Sequence, residues 1–201
     1  LDLFGFGQST QSGFLNEATG LNSYNSYLQQ LTTGFGQGIS VTAFQMVQAF
    51  TAIANQGEMK KLRIVDHEFR PATNTTVNFS ENSLGQVIKP ETAKKTLEYL
   101  RKATTMKDGT SNGFDIEGEE VAAKTGTAEF VNPETGTYYS YGSNYIYSVV
   151  GFAPASDPKY ILYITLKQPQ NNPYGAGGSA LIKEIFNPMM KRALDYSRLT
   201  Q

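Results

Sequence analysis

Lys124-Thr125-Gly126-Thr127 puts an ammonium, two hydroxyls and a glycine on four consecutive residues. The apolar run Val121-Ala122-Ala123 precedes it and Ala128-Glu129-Phe130 follows, so the segment reads as a strand. Alternate side chains of a strand share a face, which brings Thr125 and Thr127 together. Both hydroxyls can then meet one anionic group. Gly126 between them suits the close approach of a second backbone. An acyl donor can add to such an edge as an extra strand, with Lys124 supplying positive charge near the reacting centre. Glu129, just beyond, is a candidate contact at the mouth of the groove. The tripeptide Lys-Thr-Gly alone recurs by chance and also suits a solvated edge strand. Its weight comes from its setting, at the end of an apolar strand that opens an antiparallel run.

Other candidates have simpler readings. Gly34-Phe35-Gly36-Gln37-Gly38 lacks the Gly-Lys-Ser/Thr ending of a phosphate loop and reads as a tight turn before a helix. His67, between Asp66 and Glu68, is the one histidine, and it reads as a solvated side chain. With no cysteine and no second histidine, neither a thiolate site nor a shared histidine metal site can form. Asp115, Glu117, Glu119 and Glu120 read as solvated residues approaching a strand. Tyrosines 138, 139, 141, 145 and 147 flank a polar hairpin loop and are read as core or rim packing.

The elements that must hold the motif can be read from periodicity. Residues 1–33 are polar and read as loop with short strand or helix pieces. A helix is predicted from Thr42 to Asn55. Thr42 and Gln45 form its capping box, Gly57 its stop, and Phe44, Val47, Phe50 and Ile53 part of its apolar face. Residues 60–88 read as short strands and loops. A second helix runs from Pro90 to about Thr104. Strands follow at 120–130, 145–153 and 160–167, joined by connections too short for a parallel crossover, so they are predicted to be antiparallel neighbours. The last helix spans about Ser179 to Tyr196, and Pro188 is predicted to kink or break it.

The 201 residues fit one domain or a large piece of one, with 12 Phe and 12 Tyr to build a core. Seventeen basic and 18 acidic residues leave a net charge of -1, with no basic stripe to suggest nucleic acid as a partner. No run approaches the roughly 18 apolar residues of a spanning helix. No signal peptide and no initiator Met stand at the start, so the chain reads as excised from something longer.

Lys-Thr-Gly is one of three signature motifs of serine penicillin-binding proteins and β-lactamases. Phe4-Gly5-Phe6-Gly7, Gly34 to Thr42, Gln45-Met46 and Ala49 to Asn55 stand upstream of it. Tyr160-Ile161-Leu162-Tyr163 and Phe186-Asn187-Pro188 stand downstream. In this combination the chain, over nearly its whole length, resembles the C-terminal part of a class B penicillin-binding protein. The similarity points to the division-type, 2x-like branch of Gram-positive bacteria.

The resemblance implies an α+β fold, a five-stranded antiparallel sheet covered by helices and incomplete in this fragment, with the Lys-Thr-Gly strand lining the active-site groove. It implies that Lys124 contacts a relay serine and assists proton transfer. Thr125 and Thr127 would bind the terminal carboxylate of a D-Ala-D-Ala stem peptide or of a β-lactam, and the Thr127 N–H would be one of two oxyanion donors. No metal or organic cofactor is implied. The parent would sit outside the membrane on one N-terminal transmembrane helix, with division proteins as possible partners. Neither companion motif is recognised in this chain. No Ser-x-x-Lys is read, and Ser23-Tyr24-Asn25 lies beyond the landmark by which the family has passed its Ser-x-Asn. Nucleophile and relay are therefore expected upstream of Leu1, in a missing N-terminal half of the same domain, and the fragment alone is expected to be inactive. Two alternatives stay open. One is a D,D-carboxypeptidase or β-lactamase of the same superfamily. The other is a non-catalytic module, either a β-lactam sensor or a scaffold.

Overall fold

The computed structural model describes residues 1–22, 26–129, 132, 134–138, 145–170 and 178–199. The chain divides into two compact units, Leu1–Lys94 and Lys95–Gln201.

The first unit is organised by the helix α2 (Ala43–Ala54), preceded by a short helix α1 (Tyr27–Thr33). Thr42 caps α2 as its sequence predicts: its hydroxyl accepts from Gln45 N–H at 3.1 Å, and Gln45 Oε1 accepts from Thr42 N–H at 2.9 Å. The same Gln45 side chain, 1 % exposed, donates through Nε2 to the carbonyls of Gln8 and Thr19, each at 2.8 Å. One buried amide thereby ties the glycine-rich N-terminal segment to the helix start. Beyond α2, Gly57 adopts φ +91, and a Cβ there would stand 2.0 Å from the Ile88 carbonyl oxygen. Four short strands follow: β1 (Glu58–Lys60), β2 (His67–Arg70), β3 (Thr75–Asn78) and β4 (Ser83–Gln86). They form two antiparallel ribbons, β1 with β4 and β2 with β3.

The second unit holds most of the helix α3 (Pro90–Thr105) and a three-stranded antiparallel sheet, with strand order β5 (Ala122–Glu129), β6 (Tyr145–Ala153), β7 (Tyr160–Lys167). The helix α4 (Gly178–Leu199) packs on one face of this sheet. Val149, Tyr147 and Ala153 of β6 meet Ile182, Phe186, Met190 and Leu194 of α4 there, and Phe114 stands edge-on to Phe186 with ring centroids 5.3 Å apart. Gly151 is required by this contact, because a Cβ on it would lie 2.2 Å from the Phe186 ring.

Two expectations need correction. Pro188 lies inside α4 without ending it. Proline removes one hydrogen bond of the ladder, but Phe186 and Met190 on either side are fully buried, and their packing carries the helix across. Three strands of the antiparallel sheet stand among the described residues, in keeping with an incomplete piece of that fold, while β1 to β4 form ribbons of their own. Glu119 is no solvated residue. Its side chain is only 7 % exposed and accepts from Arg198 at the end of α4 at 2.6 Å, which holds its carboxyl below the ordinary value.

Candidate active site

The phase of hydrogen bonding along β5 decides which backbone groups can meet a ligand. The Glu120 carbonyl accepts from Ala155 N–H at 2.7 Å, on the β6 side. Ala123 N–H points the other way and donates to Thr104 Oγ1 at 3.0 Å, while the Val121 carbonyl accepts from Arg101 at 2.9 Å. Antiparallel pairing alternates along the strand, so Ala122, Lys124, Gly126 and Ala128 exchange bonds with β6. Thr125, Thr127 and Glu129 therefore turn their N–H and C=O groups to the outer edge. Two side chains of α3 occupy that edge at Val121 and Ala123. From Thr125 onward no strand of the described residues pairs with it.

Side chains flank this open edge from two sides. Ala123, Thr125, Thr127 and Glu129 share the face on which α4 packs, as shown by the pairing of Ala123 with Gly151, the residue lying against Phe186. Thr127 pairs with Tyr147, and a Cβ on Gly178 in the first turn of α4 would touch the Tyr147 ring at 2.2 Å. Ala123 is fully buried, Thr125 half-buried, and Thr127 and Glu129 exposed, so the strand emerges from the core at the motif. Lys124 stands on the opposite face, exposed, with Nζ donating to the Thr125 carbonyl at 2.5 Å. The two threonines do share a face. The ammonium reaches the same edge from the other side.

Gly126 has a second partner that its sequence context does not suggest. It pairs with Ser148, and a Cβ at residue 126 would lie 2.5 Å from Ser148 Oγ. The missing side chain makes room for this hydroxyl as well as for any docked backbone. Ser148 also hydrogen-bonds Tyr163 of β7, whose phenol is pushed up by burial, the larger effect, and drawn down by that bond. Ser148 and Tyr163 thus lie on the Lys124 face.

The reading that the chain spells no Ser-x-x-Lys is corrected: Ser156-Asp157-Pro158-Lys159 fits the pattern. It lies in the turn between β6 and β7 rather than at the start of a helix. Ser156 Oγ donates to Glu120 at 2.5 Å, and this bond holds the Glu120 carboxyl below its ordinary value, which makes it a poor base. Lys159 pairs with Asp157 at 2.6 Å and not with Ser156. Glu120 and Thr127 stand at opposite ends of one strand, about 20 Å apart at the usual rise. This serine cannot serve the motif edge. Ser80-Glu81-Asn82 likewise spells Ser-x-Asn, but in the connection between β3 and β4. Ser23-Tyr24-Asn25, Tyr139 and Tyr141 lie outside the described residues.

The remaining candidates stay apart from the motif. His67 is exposed on β2, its Nδ1 3.4 Å from Asp66 Oδ2. Asp115 pairs with Arg101 at 2.7 Å. Among the described residues no group of three His, Asp or Glu side chains is arranged to hold a metal ion, and no helix is long and apolar enough to cross a membrane.

Comparison with known proteins gives a single answer. The family model described as "Penicillin binding protein transpeptidase domain" matches residues 1–191. Penicillin-binding protein PbpB of Mycolicibacterium smegmatis is 34 % identical over 204 residues, covering 94 % of this chain and 30 % of that protein. Peptidoglycan D,D-transpeptidase FtsI of Escherichia coli is 29 % identical over 190 residues, covering 93 % and 29 %. Among solved structures, penicillin-binding protein 2X of Streptococcus thermophilus superimposes with a TM-score of 0.86 at 28 % identity, over 96 % of this chain and 29 % of that one. Penicillin-binding protein 3 of Mycobacterium tuberculosis complexed with ampicillin gives 0.81 at 29 % identity, over 96 % and 44 %. The chain thus spans under a third of the length of these two curated relatives. With its helices and antiparallel sheet superimposing on those domains and its sequence matched along nearly all its length, the chain belongs to the penicillin-binding protein transpeptidase domain family.

Proposed function

We propose that this chain is the acyl-donor-binding part of a peptidoglycan D,D-transpeptidase. The observation that carries the reading is the outer edge of β5, closed by α3 as far as Ala123 and open from Thr125. An extended stem peptide ending in D-Ala-D-Ala, or a β-lactam in its place, adds to that edge. Its terminal carboxylate meets the Thr125 and Thr127 hydroxyls, while Lys124 contributes its charge from the other side and Glu129 lies at the mouth. The Thr127 N–H, turned outward, serves as an oxyanion donor, worth on the order of 3 kcal/mol of transition-state stabilisation in such chemistry.

The acyl-carrying serine belongs to a part of the polypeptide outside these 201 residues, as does the relay serine that Lys124 would contact. The engaged turn position of Ser156 supports this. The serine attacks the donor's penultimate carbonyl, D-alanine departs, and an amine of a neighbouring stem peptide takes the acyl group. The protein works at the outer face of the membrane, held by a helix outside this chain. The relatives named as D,D-transpeptidase and the ampicillin complex support this substrate and inhibitor class.

The test is labelling by a fluorescent penicillin. The full-length protein is expected to be labelled covalently and to crosslink stem peptides, and the 201-residue chain alone is expected to remain unlabelled. Labelling of the short chain would show that it holds its own nucleophile. Hydrolysis without crosslinking by the full-length protein would indicate a carboxypeptidase or β-lactamase, and acylation without either would favour a sensor.

A further inference from the structure

The first unit contains a cavity of 260 Å³ that the motif edge on β5 does not line. Three stretches of chain wall it: the loop around Gln11, the extended segment from Lys61 to Val65, and the stretch after β3 beginning at Phe79. Backbone bonds fasten these walls to one another. Ile64 N–H donates to the Ser12 carbonyl at 3.2 Å, Lys61 N–H to the Asn82 carbonyl at 2.9 Å, and Phe79 N–H to the Asp66 carbonyl at 3.0 Å.

The loop at Gln11 is held in a costly shape. Gln11 has φ 53, in the left-handed region that non-glycine residues avoid. The Glu17 carboxylate fixes it there, accepting from the hydroxyls of Ser9, Thr10 and Ser12 and from Gln11 N–H. Thr10 and Ser12 are each 4 % exposed. Backbone strain locked by four hydrogen bonds keeps this wall in place without a ligand, the preorganisation expected of a binding site.

The lining is amphipathic. Leu62, Val65 and Phe79 supply apolar surface, and Lys61 and Arg63 supply charge. Arg63 is already engaged, by the Phe79 carbonyl and by Asp66 at 3.3 Å. Lys61 is partly covered along its length, and its ammonium, in an exposed contact, donates to the neutral Gln11 amide oxygen at 3.4 Å. Among the described residues no carboxylate lies within ion-pair distance of it. An ammonium with no counter-charge at the rim of apolar walls suits an anion whose remainder is apolar.

We propose that this cavity is a binding site for a small carboxylate bearing an apolar group, with the carboxylate on Lys61 Nζ and the apolar group against Phe79, Val65 and Leu62. The volume falls just below the roughly 300–1,000 Å³ of ordinary small-molecule sites, so the occupant is about the size of one hydrophobic residue. It is either a free aryl or alkyl carboxylate or the carboxyl-terminal residue of a peptide. The site is independent of the acyl-transfer reading.

The test is ligand-detected NMR on the full-length protein, first acylated with benzylpenicillin so that the catalytic groove is filled. The probes are 4-phenylbutyrate and the tripeptide Gly-Gly-Phe with a free carboxyl terminus. Saturable binding of at least one probe is expected, weakened about tenfold or more by Lys61→Gln. Binding of both probes assigns the site to the shared chemistry, and binding of the tripeptide alone assigns it to a peptide terminus. A thermal unfolding midpoint of Lys61→Gln equal to that of the parent shows that this variant is folded. Failure of both probes to bind saturably, equal affinity in Lys61→Gln, or equally tight binding of the amide of Gly-Gly-Phe would overturn the proposal.

Discussion

Thr104 Oγ1 of α3 accepts the Ala123 N–H of β5 at 3.0 Å, and both residues are fully buried. The same hydroxyl donates to the Leu100 carbonyl at 2.8 Å. A single side chain thereby ends the helix-covered part of the strand edge, two residues before Thr125 offers its own backbone outward. Replacing Thr104 by valine keeps the shape and leaves a buried N–H without its acceptor. A loss of about 1–3 kcal/mol in urea unfolding is expected, with Thr104→Ser close to the parent. Equal stability of the valine and serine variants would remove this bond from the account.

Gly126→Ala places a methyl group 2.5 Å from Ser148 Oγ. Overpacking of this kind costs about 1–3 kcal/mol. Ser148→Ala removes the obstructing oxygen and leaves only Ser148 Cβ, at 3.9 Å. Because Ser148→Ala also removes the bond to Tyr163, the comparison is made within that background, where adding Gly126→Ala is expected to cost much less than it does in the parent. A double-mutant cycle by thermal unfolding reads this directly, and strict additivity would show that the two positions do not meet.

Thr125→Val and Thr127→Val keep the strand and the outward N–H groups but remove the hydroxyls. In the full-length protein each is expected to slow penicillin acylation by about tenfold or more, as for loss of a hydrogen bond to a charged group. Stopped-flow acylation kinetics separates this from an effect on folding. An unchanged rate in both variants would show that the carboxylate is held elsewhere.

Glu119 anchors the approach to β5 on Arg198 at the end of α4. The Arg198 hydrogen bond holds its carboxyl below the ordinary value of 4.5, so the stabilisation is present above that value and is lost as pH falls through the lower, folded-state value. Glu119→Gln is expected to lower the urea midpoint at neutral pH and to match the parent once both are well below pH 4.5. A difference that persists in acid would mean that the charge is not what matters.

The elements around the motif could be read closely from periodicity. Strands β6 and β7 run over the residues that their β-branched and aromatic content marks, and the Thr42–Gln45 capping box sets the start of α2. Local signals suffice where one face of an element is buried. What sequence could not show depends on contacts far apart in the chain. Glu119 meets a partner 79 residues away, so no local pattern marks it as buried. The Thr104 hydroxyl is indistinguishable in sequence from its neighbour Thr105, which bonds only within α3. The role of Gly126 becomes visible only when the register opposite Ser148 is known. Pro188 shows the reverse case: it does not break α4, because the burial of Phe186 and Met190 carries the helix through it.

A strand whose outer groups stand open from Thr125 onward is also a surface on which a second copy of the same strand could dock and begin unwanted self-association. Lys124, exposed on that rim, is the kind of residue that discourages such pairing, because two copies brought together there would crowd like charges. The lysine proposed to draw in an anionic donor would thus also guard the rim against other molecules of its own kind.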